Sequence, residues 1–297
     1  MESKSVKFYL DKNDSIRIGQ KILYRVIAAI DINGRETIPA GSRGGFIESE
    51  KNLSHEGNAW VSDDACVFGD AKVFGDAQVF GNAYIYGNAL VFGNAWVSGN
   101  ACVFGDACVS GDARVYGSAY IYGDSHVFGD ANIYDNAEVY GNAEVYDHAK
   151  VRKKAKVRGN AKISGYAYID DNAEVYDHAQ VFGNAEVYGN AKIYGDAEVY
   201  GGACISGNAE IYGWVQIFDS AEVYGNAKVY GSAEVYGDAK VYGNVEVYEH
   251  ARVYGNAKVY ENAHIFKLAR IYDNAEVCGL AKVNYDRCVC DNEHVEK

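Results

Sequence analysis

The sequence predicts an all-β solenoid: parallel strands, three short ones to each triangular coil, stacked on their neighbours. Three observations carry this. A six-residue unit runs from 57 to 283 without an insertion or deletion, and a fixed short period is the mark of a fold in which each repeat packs only on the next. Of the 38 positions from Ala59 to Ala281 in steps of six, 35 are Ala, the exceptions being Ser125, Val215 and Val245. Two residues after each, from Val61 to Val283, stands Val or Ile. Third, charges in the variable column fix how many units close a coil. Between 138 and 282, spacing 18 gives ten opposite-charge and two like-charge pairs, whereas spacing 12 gives four and eleven. Coils lie ~4.8 Å apart, where like charges oppose pairing, so three units per coil is the consistent solution. The repeat then makes a little under thirteen coils, roughly 60 Å of stack at that spacing.

Taken in order, residues 1–56 do not repeat. Val6–Leu10 and Ile22–Ile32 read as strands, Asn33-Gly34 as a hairpin turn and Pro39–Gly45 as a loop. Phe46-Ile47 and the polar run Glu48–Glu56 lead into the first coil. The segment reads as a small N-terminal β cap over an end whose strand edges would otherwise invite pairing.

Within the repeat (57–283), as in Val139-Tyr140-Gly141-Asn142-Ala143, Ala and Val/Ile alternate with a variable residue and an aromatic. The aliphatics share the inner face of a short strand. Gly-Asn and Gly-Asp are corner chemistry, since these residues accept a positive φ. The outward column from 68 to 266 in steps of 18 is Tyr or Phe except at Arg158. Tyr140, Arg158, Tyr176, Tyr194, Tyr212, Tyr230 and Tyr248 are therefore the candidate binding residues, an aromatic edge in which Arg158 is placed to stack as a cation. The alternative is a ladder that only stabilises its own sheet. A second aromatic column (74 to 272) breaks at Ser110 and Ser164, and a third is more broken, at Arg152 and Asp170 among others.

Lys150–Arg158 holds six positive charges in nine residues. Alone it suggests a phosphate or nucleic-acid patch. Stacking places Lys153 between Asp135 and Asp171, Lys156 between Glu138 and Glu174, and Arg152 below Asp170, so a compensated ladder is the expectation. Asp147-His148, Asp177-His178 and Glu249-His250 occupy corners. They read as turn variants rather than base-and-orienter pairs, because neighbours in a turn point apart. His126 and His264 fall in the outward variable column. The tail 284–297 leaves the pattern and reads as a charged C-terminal cap. Its Cys288-Val289-Cys290 with His294 has metal-ligand residue types at a spacing that matches no known zinc site, so no metal is expected.

The net charge of −13 argues against a general binder of nucleic acid or anionic membrane. Residues 1–56 carry nine basic and eight acidic side chains, so the acidity belongs to the repeat and tail. No apolar run approaches a membrane span, the start shows no secretory signal, and seven scattered Cys suggest a reduced, cytoplasmic setting.

The aliphatic, turn and small positions resemble those of the hexapeptide-repeat left-handed parallel β-helix family. The left hand is implied by that resemblance alone, because parallel crossovers are ordinarily right-handed. The stretches Leu23-Tyr24-Arg25-Val26-Ile27, Gly44-Gly45-Phe46-Ile47-Glu48 and Asn52-Leu53-Ser54 resemble the leading segment of bacterial YdcK-like hexapeptide-repeat proteins, whose members carry a transferase label by analogy. The family's acyltransferases imply trimers, acyl-coenzyme A between adjacent prisms and a His general base near a loop thrown out of the coil. Here 227 consecutive residues hold no such loop, so no catalytic and no cofactor-binding residue is carried over. The favoured function is a non-catalytic rod presenting Tyr and charge ladders to its own copies, as a dimer or trimer, or to a protein partner. The alternative is an acyl-coenzyme A-dependent acyltransferase.

Overall fold

The computed structural model describes residues 6–34 and 36–296. The chain divides into two compact units, Met1–Asp147 and His148–Lys297, which share the repeat stretch between them. Among the described residues both are all-β, apart from one 3-10 turn at Glu50–Asn52.

The first unit opens with β1 (Phe8–Ile18) and β2 (Lys21–Ala28), an antiparallel hairpin that turns at Gly19, where φ is +59°. A smaller hairpin, β3 (Ile32–Asn33) with β4 (Thr37–Ile38), holds the turn expected at Asn33-Gly34. The expected loop Pro39–Gly45 instead runs into β5 (Arg43–Ile47). Its glycines mislead because they serve close approach rather than a bend: a Cβ on Gly44 or Gly45 would lie 2.5 Å from the carbonyl oxygen of Val61 or Ala65. Strand β5 is an adapter. On one side it pairs antiparallel with β2 (Tyr24↔Ile47), and on the other parallel with the coil strand Cys66–Val67 (Phe46↔Cys66).

In this unit the coil strands that follow are two residues long, because each hexapeptide spends its other residues on the turn. Here residue i pairs with i+18, as in Tyr84↔Cys102↔Tyr120↔Glu138. Backbone amides donate forward to residue i+17: Tyr84 to Ala101 (2.9 Å), Tyr86 to Val103 (3.0 Å) and Asn88 to Gly105 (2.8 Å). The first coil therefore has carbonyls that no preceding coil can serve, and an unserved buried carbonyl is costly. The cap is a set of donors for them. Amides of Phe46 and Glu48 reach Ala65 and Val67. Asn52 Nδ2 reaches Gly69 (3.0 Å) and Ala71 (2.9 Å), and Lys7 Nζ reaches Gly57 (3.2 Å) and Ala59 (2.9 Å). Arg25 lies over the Phe46 ring and donates to Gly44, Asp63 and Asp14. Burial pulls the Lys7 ammonium down to about 8, against the opposing pull of Asp76.

The core of both units is the two aliphatic columns, every Ala and Val/Ile of which is fully buried. The three exceptions in the Ala column each have a local solution. Ser125 is buried with its hydroxyl donating to Tyr122 O (3.0 Å) and Val139 O (3.3 Å). Val215 and Val245 are buried too, and the glycine two residues before each, Gly213 and Gly243, opens to φ +86° and +87°, where the other repeat-corner glycines hold +65° to +75°. The wider corner makes room for the two extra methyls that overpacking would otherwise penalise.

The second unit keeps the same register, Lys156↔Glu174↔Lys192↔Glu210↔Lys228↔Glu246. The tail, expected to leave the repeat, also stays in it: Arg270 pairs with Cys288 and Glu276 with His294. Val289 falls on the aliphatic step and is fully buried. Arg287 stands where Ala would be, exposed, and reaches Glu293 at 3.0 Å.

Asn52→Ala leaves two first-coil carbonyls without their donor. Its unfolding midpoint in denaturant should fall by an amount equivalent to about 2 kcal/mol, and an unchanged midpoint would show that the carbonyls find another donor.

Candidate functional site

The regular register turns the outward positions into straight columns, and those columns are the candidate site. In the second unit Arg158, Tyr176, Tyr194, Tyr212, Tyr230 and Tyr248 come together in one column with Phe266. Arg158 lies 4.0 Å from the Tyr176 ring centroid, and from Tyr176 to Phe266 the rings stack 4.8 to 5.1 Å apart with interplanar angles of 1° to 8°. Tyr140 belongs to the first unit, where it stacks on Tyr122 at 4.8 Å above Phe104, Tyr86 and Phe68. Every ring in both columns is half-buried. The faces are spent on neighbouring rings, each pair contributing about 0.2–1 kcal/mol, while edges and hydroxyls face outward.

Burial pushes the phenols of Tyr122 and Tyr194 up to about 12, with nearby carboxylates and phenols adding to it. Tyr230 rises for the same reason, and its hydroxyl donates to Glu246 at 3.1 Å. These phenols are neutral at neutral pH, which suits hydrogen bonding and packing rather than nucleophilic chemistry.

Beside the rings runs the charge ladder. Lys228–Glu210 (3.5 Å), Lys240–Glu222 (2.9 Å), Arg252–Glu234 (2.9 Å) and Lys258–Glu276 (2.9 Å) bridge adjacent coils. In the basic stretch, Arg152 and Lys153 reach Asp170 at 2.7 and 3.3 Å, and Lys153 reaches Asp171 at 2.7 Å. Burial pushes the Asp170 carboxyl up, but Arg152, the Asp171 amide and Lys153 together hold it below the usual carboxylate range. These contacts spend Arg152 and Lys153 on internal pairs rather than on an open anion patch.

The corners hold two features that sequence reading missed. Asn172, Asn190, Asn208, Asn226, Asn244 and Asn262 form a side-chain ladder, each Nδ2 donating to the next Oδ1 at 2.9 to 3.1 Å. Asn at steps of 18 was the available signal. Second, where an acid replaces the corner Gly, the acid takes the positive φ and its carboxylate accepts the amide one coil on: Asp63 from Gly81 (2.9 Å), Asp171 from Gly189 (3.1 Å), Glu261 from Gly279 (2.8 Å). A charged hydrogen bond offsets the strain of a non-Gly residue there. Asp147, Asp177 and Glu249 carry the positive φ at the corners that also hold His148, His178 and His250. All three His are exposed. Their distance along the chain from one another leaves them in separate coils.

Three surface hollows complete the picture. One of about 480 Å³ lies by the cap, with Trp60, Phe80 and Trp96 facing Arg43 and Asp63. One of about 290 Å³ sets the exposed Trp214 beside His178, Asp196 and Glu198. One of about 450 Å³ lies by the tail, next to Glu276 and His294. There, His294 does not join the cysteines of its own segment. Its Nε2 stands 3.7 Å from Cys278 Sγ, while Cys290 Sγ donates to Asp291.

Among the described residues no helix is long and apolar enough to cross a membrane. Residues 83–99, close to one full coil, match the family model described as the YdcK beta solenoid repeat. No curated protein matches the chain.

The raised phenols set an alkaline limit. Tyr122, Tyr194 and Tyr230 have folded pKa values above the unfolded value of about 10, so their contribution to stability is complete below that pH and is lost as pH climbs towards 12. At about pH 11 the folded protein should show far less phenolate absorbance than the denatured chain, and its melting temperature should fall steeply across this range; equal absorbance in the two states would refute the stacked, half-buried column.

Proposed function

We propose that this β-solenoid is a non-catalytic scaffold that associates with a second copy of itself along the face bearing Arg158, Tyr176, Tyr194, Tyr212, Tyr230 and Tyr248. The observation that carries the reading is the constant ring spacing of 4.8 to 5.1 Å over consecutive coils. An array with one period is best matched by another array of the same period. Charge supports the same partner. Glu174, Lys192, Glu210, Lys228 and Glu246 alternate beside the rings, and an alternating row meets its own two-fold mate with opposite charges when shifted by one coil. Tyr edges and hydroxyls are favoured interface chemistry. A reducing, cytoplasmic setting belongs to this reading, on the strength of seven free thiols.

Sedimentation velocity separates the outcomes. The parent protein should sediment as a dimer, and Tyr194→Glu with Tyr230→Glu should convert it to monomer while circular dichroism still reports the β fold. A folded parent that stays monomeric at all concentrations would overturn the proposal. Calorimetric titration with acetyl-coenzyme A addresses the acyltransferase alternative: the scaffold reading expects no saturable heat, and micromolar saturable binding would replace it with an enzyme.

A further inference from the structure

The aromatic column that contains Tyr224, Tyr242 and Tyr260 ends at Cys278, with Glu296 as its register partner on the last strand. His294 lies two residues before Glu296, and alternate strand residues share a face. The fold therefore brings a thiol, an imidazole and a carboxylate to one outward patch. Cys278 Sγ is 3.7 Å from His294 Nε2, and His294 Nε2 is 3.5 Å from Glu296 Oε2. One donor atom from each of the three falls within 4.8 Å of the others.

We propose that Cys278, His294 and Glu296 bind a divalent thiophilic ion of the zinc type. A tetrahedral ion with metal–donor lengths of about 2.0–2.3 Å holds its donor atoms roughly 3.3–3.7 Å apart. The two separations from His294 Nε2 already have that value, and the third stays within 4.8 Å, so an ion is accommodated once Cys278 Sγ and Glu296 Oε2 close towards each other. The donor set selects among metals: thiolate with imidazole suits zinc and disfavours calcium or magnesium, which take oxygen. Three protein donors leave the fourth position to water.

The surroundings fit a metal-bound histidine. The other ring nitrogen, Nδ1, lies 3.7 Å from Glu276 Oε2, the carboxylate behind the imidazole that fixes its orientation and raises its basicity. Glu276 is itself held by Lys258 Nζ at 2.9 Å and by the Tyr260 hydroxyl at 3.5 Å. Cys278 is 3 % exposed, which shields a thiolate–metal bond from competing thiols, while the hollow of about 450 Å³ beside His294 admits the ion. Bound there, the ion would tie the final strand His294–Glu296 to Glu276–Cys278.

Cobalt titration of the full chain reads this directly, since a thiolate–cobalt bond gives an intense near-ultraviolet charge-transfer band. One equivalent should produce the band, zinc should abolish it by displacement, and zinc should raise the melting temperature in a way a chelator reverses. His294→Gln and Glu296→Gln alter exposed residues and should fold, yet lose the band or weaken binding at least tenfold. Glu276→Gln should weaken it about 10- to 100-fold. Cys288→Ser with Cys290→Ser should keep it. No band in the parent would overturn the proposal. So would a band that survives His294→Gln, or one lost in the Cys288/Cys290 variant, which would place the metal on the tail's own cysteines.

Discussion

The forward hydrogen bond from residue i to residue i+17 is what the rest of this protein depends on. It sets the coil spacing, and the spacing sets everything presented outside. Rings stack because their coils are a ring's thickness and a little more apart; Asn amides chain because a side-chain amide spans the same gap; opposite charges meet because they sit one coil apart. None of these ladders creates the register. They are consequences of it, and they add to it. The inner columns fix the register in turn, since fully buried Ala and Val/Ile leave no alternative inward face. Where the inner column is overfilled, at Val215 and Val245, the adjustment appears in the φ of one corner glycine and not in the pairing.

Much of this was legible in the sequence, because a short exact period writes the fold in a form that counting can read. The three-unit coil followed from the sign of charges at spacing 18, and the pairing Lys228–Glu210 or Lys240–Glu222 is that count made physical. The clustering of Arg158 with Tyr176 through Tyr248 was equally visible. What escaped was whatever depends on departure from the period. Strand β5 was hidden by Gly44-Gly45, residues that usually signal a bend and here signal crowding. The tail lost its Ala signature at Arg287, yet Val289 alone sufficed to keep it in the stack. At the corners holding His148, His178 and His250 it is the preceding acid that takes the positive φ, and Asp177 accepts the Gly195 amide one coil on.

The candidate site divides along the same line. Columns are readable because their members share a step, whereas the Cys278–His294–Glu296 cluster joins a column position to a segment outside the pattern. Only the pairing of Cys278 with Glu296 brings it together. A motif search along the chain looks for ligands near each other in sequence, and so it fixed on Cys288 and Cys290, whose thiols point to Asp286 and Asp291 instead.

The donor-rich cap on the first coil has a further implication. In the bonds made outside the strand pairs, as at Tyr84, Tyr86 and Asn88, the amide donates towards higher residue numbers, so the leading face of a coil is rich in carbonyl oxygens. Lys7, Asn52 and Arg25 answer the carbonyl face with cations and an amide. The leading face of the first unit thus favours cations and amides, and a cap built of carboxylates could not serve it.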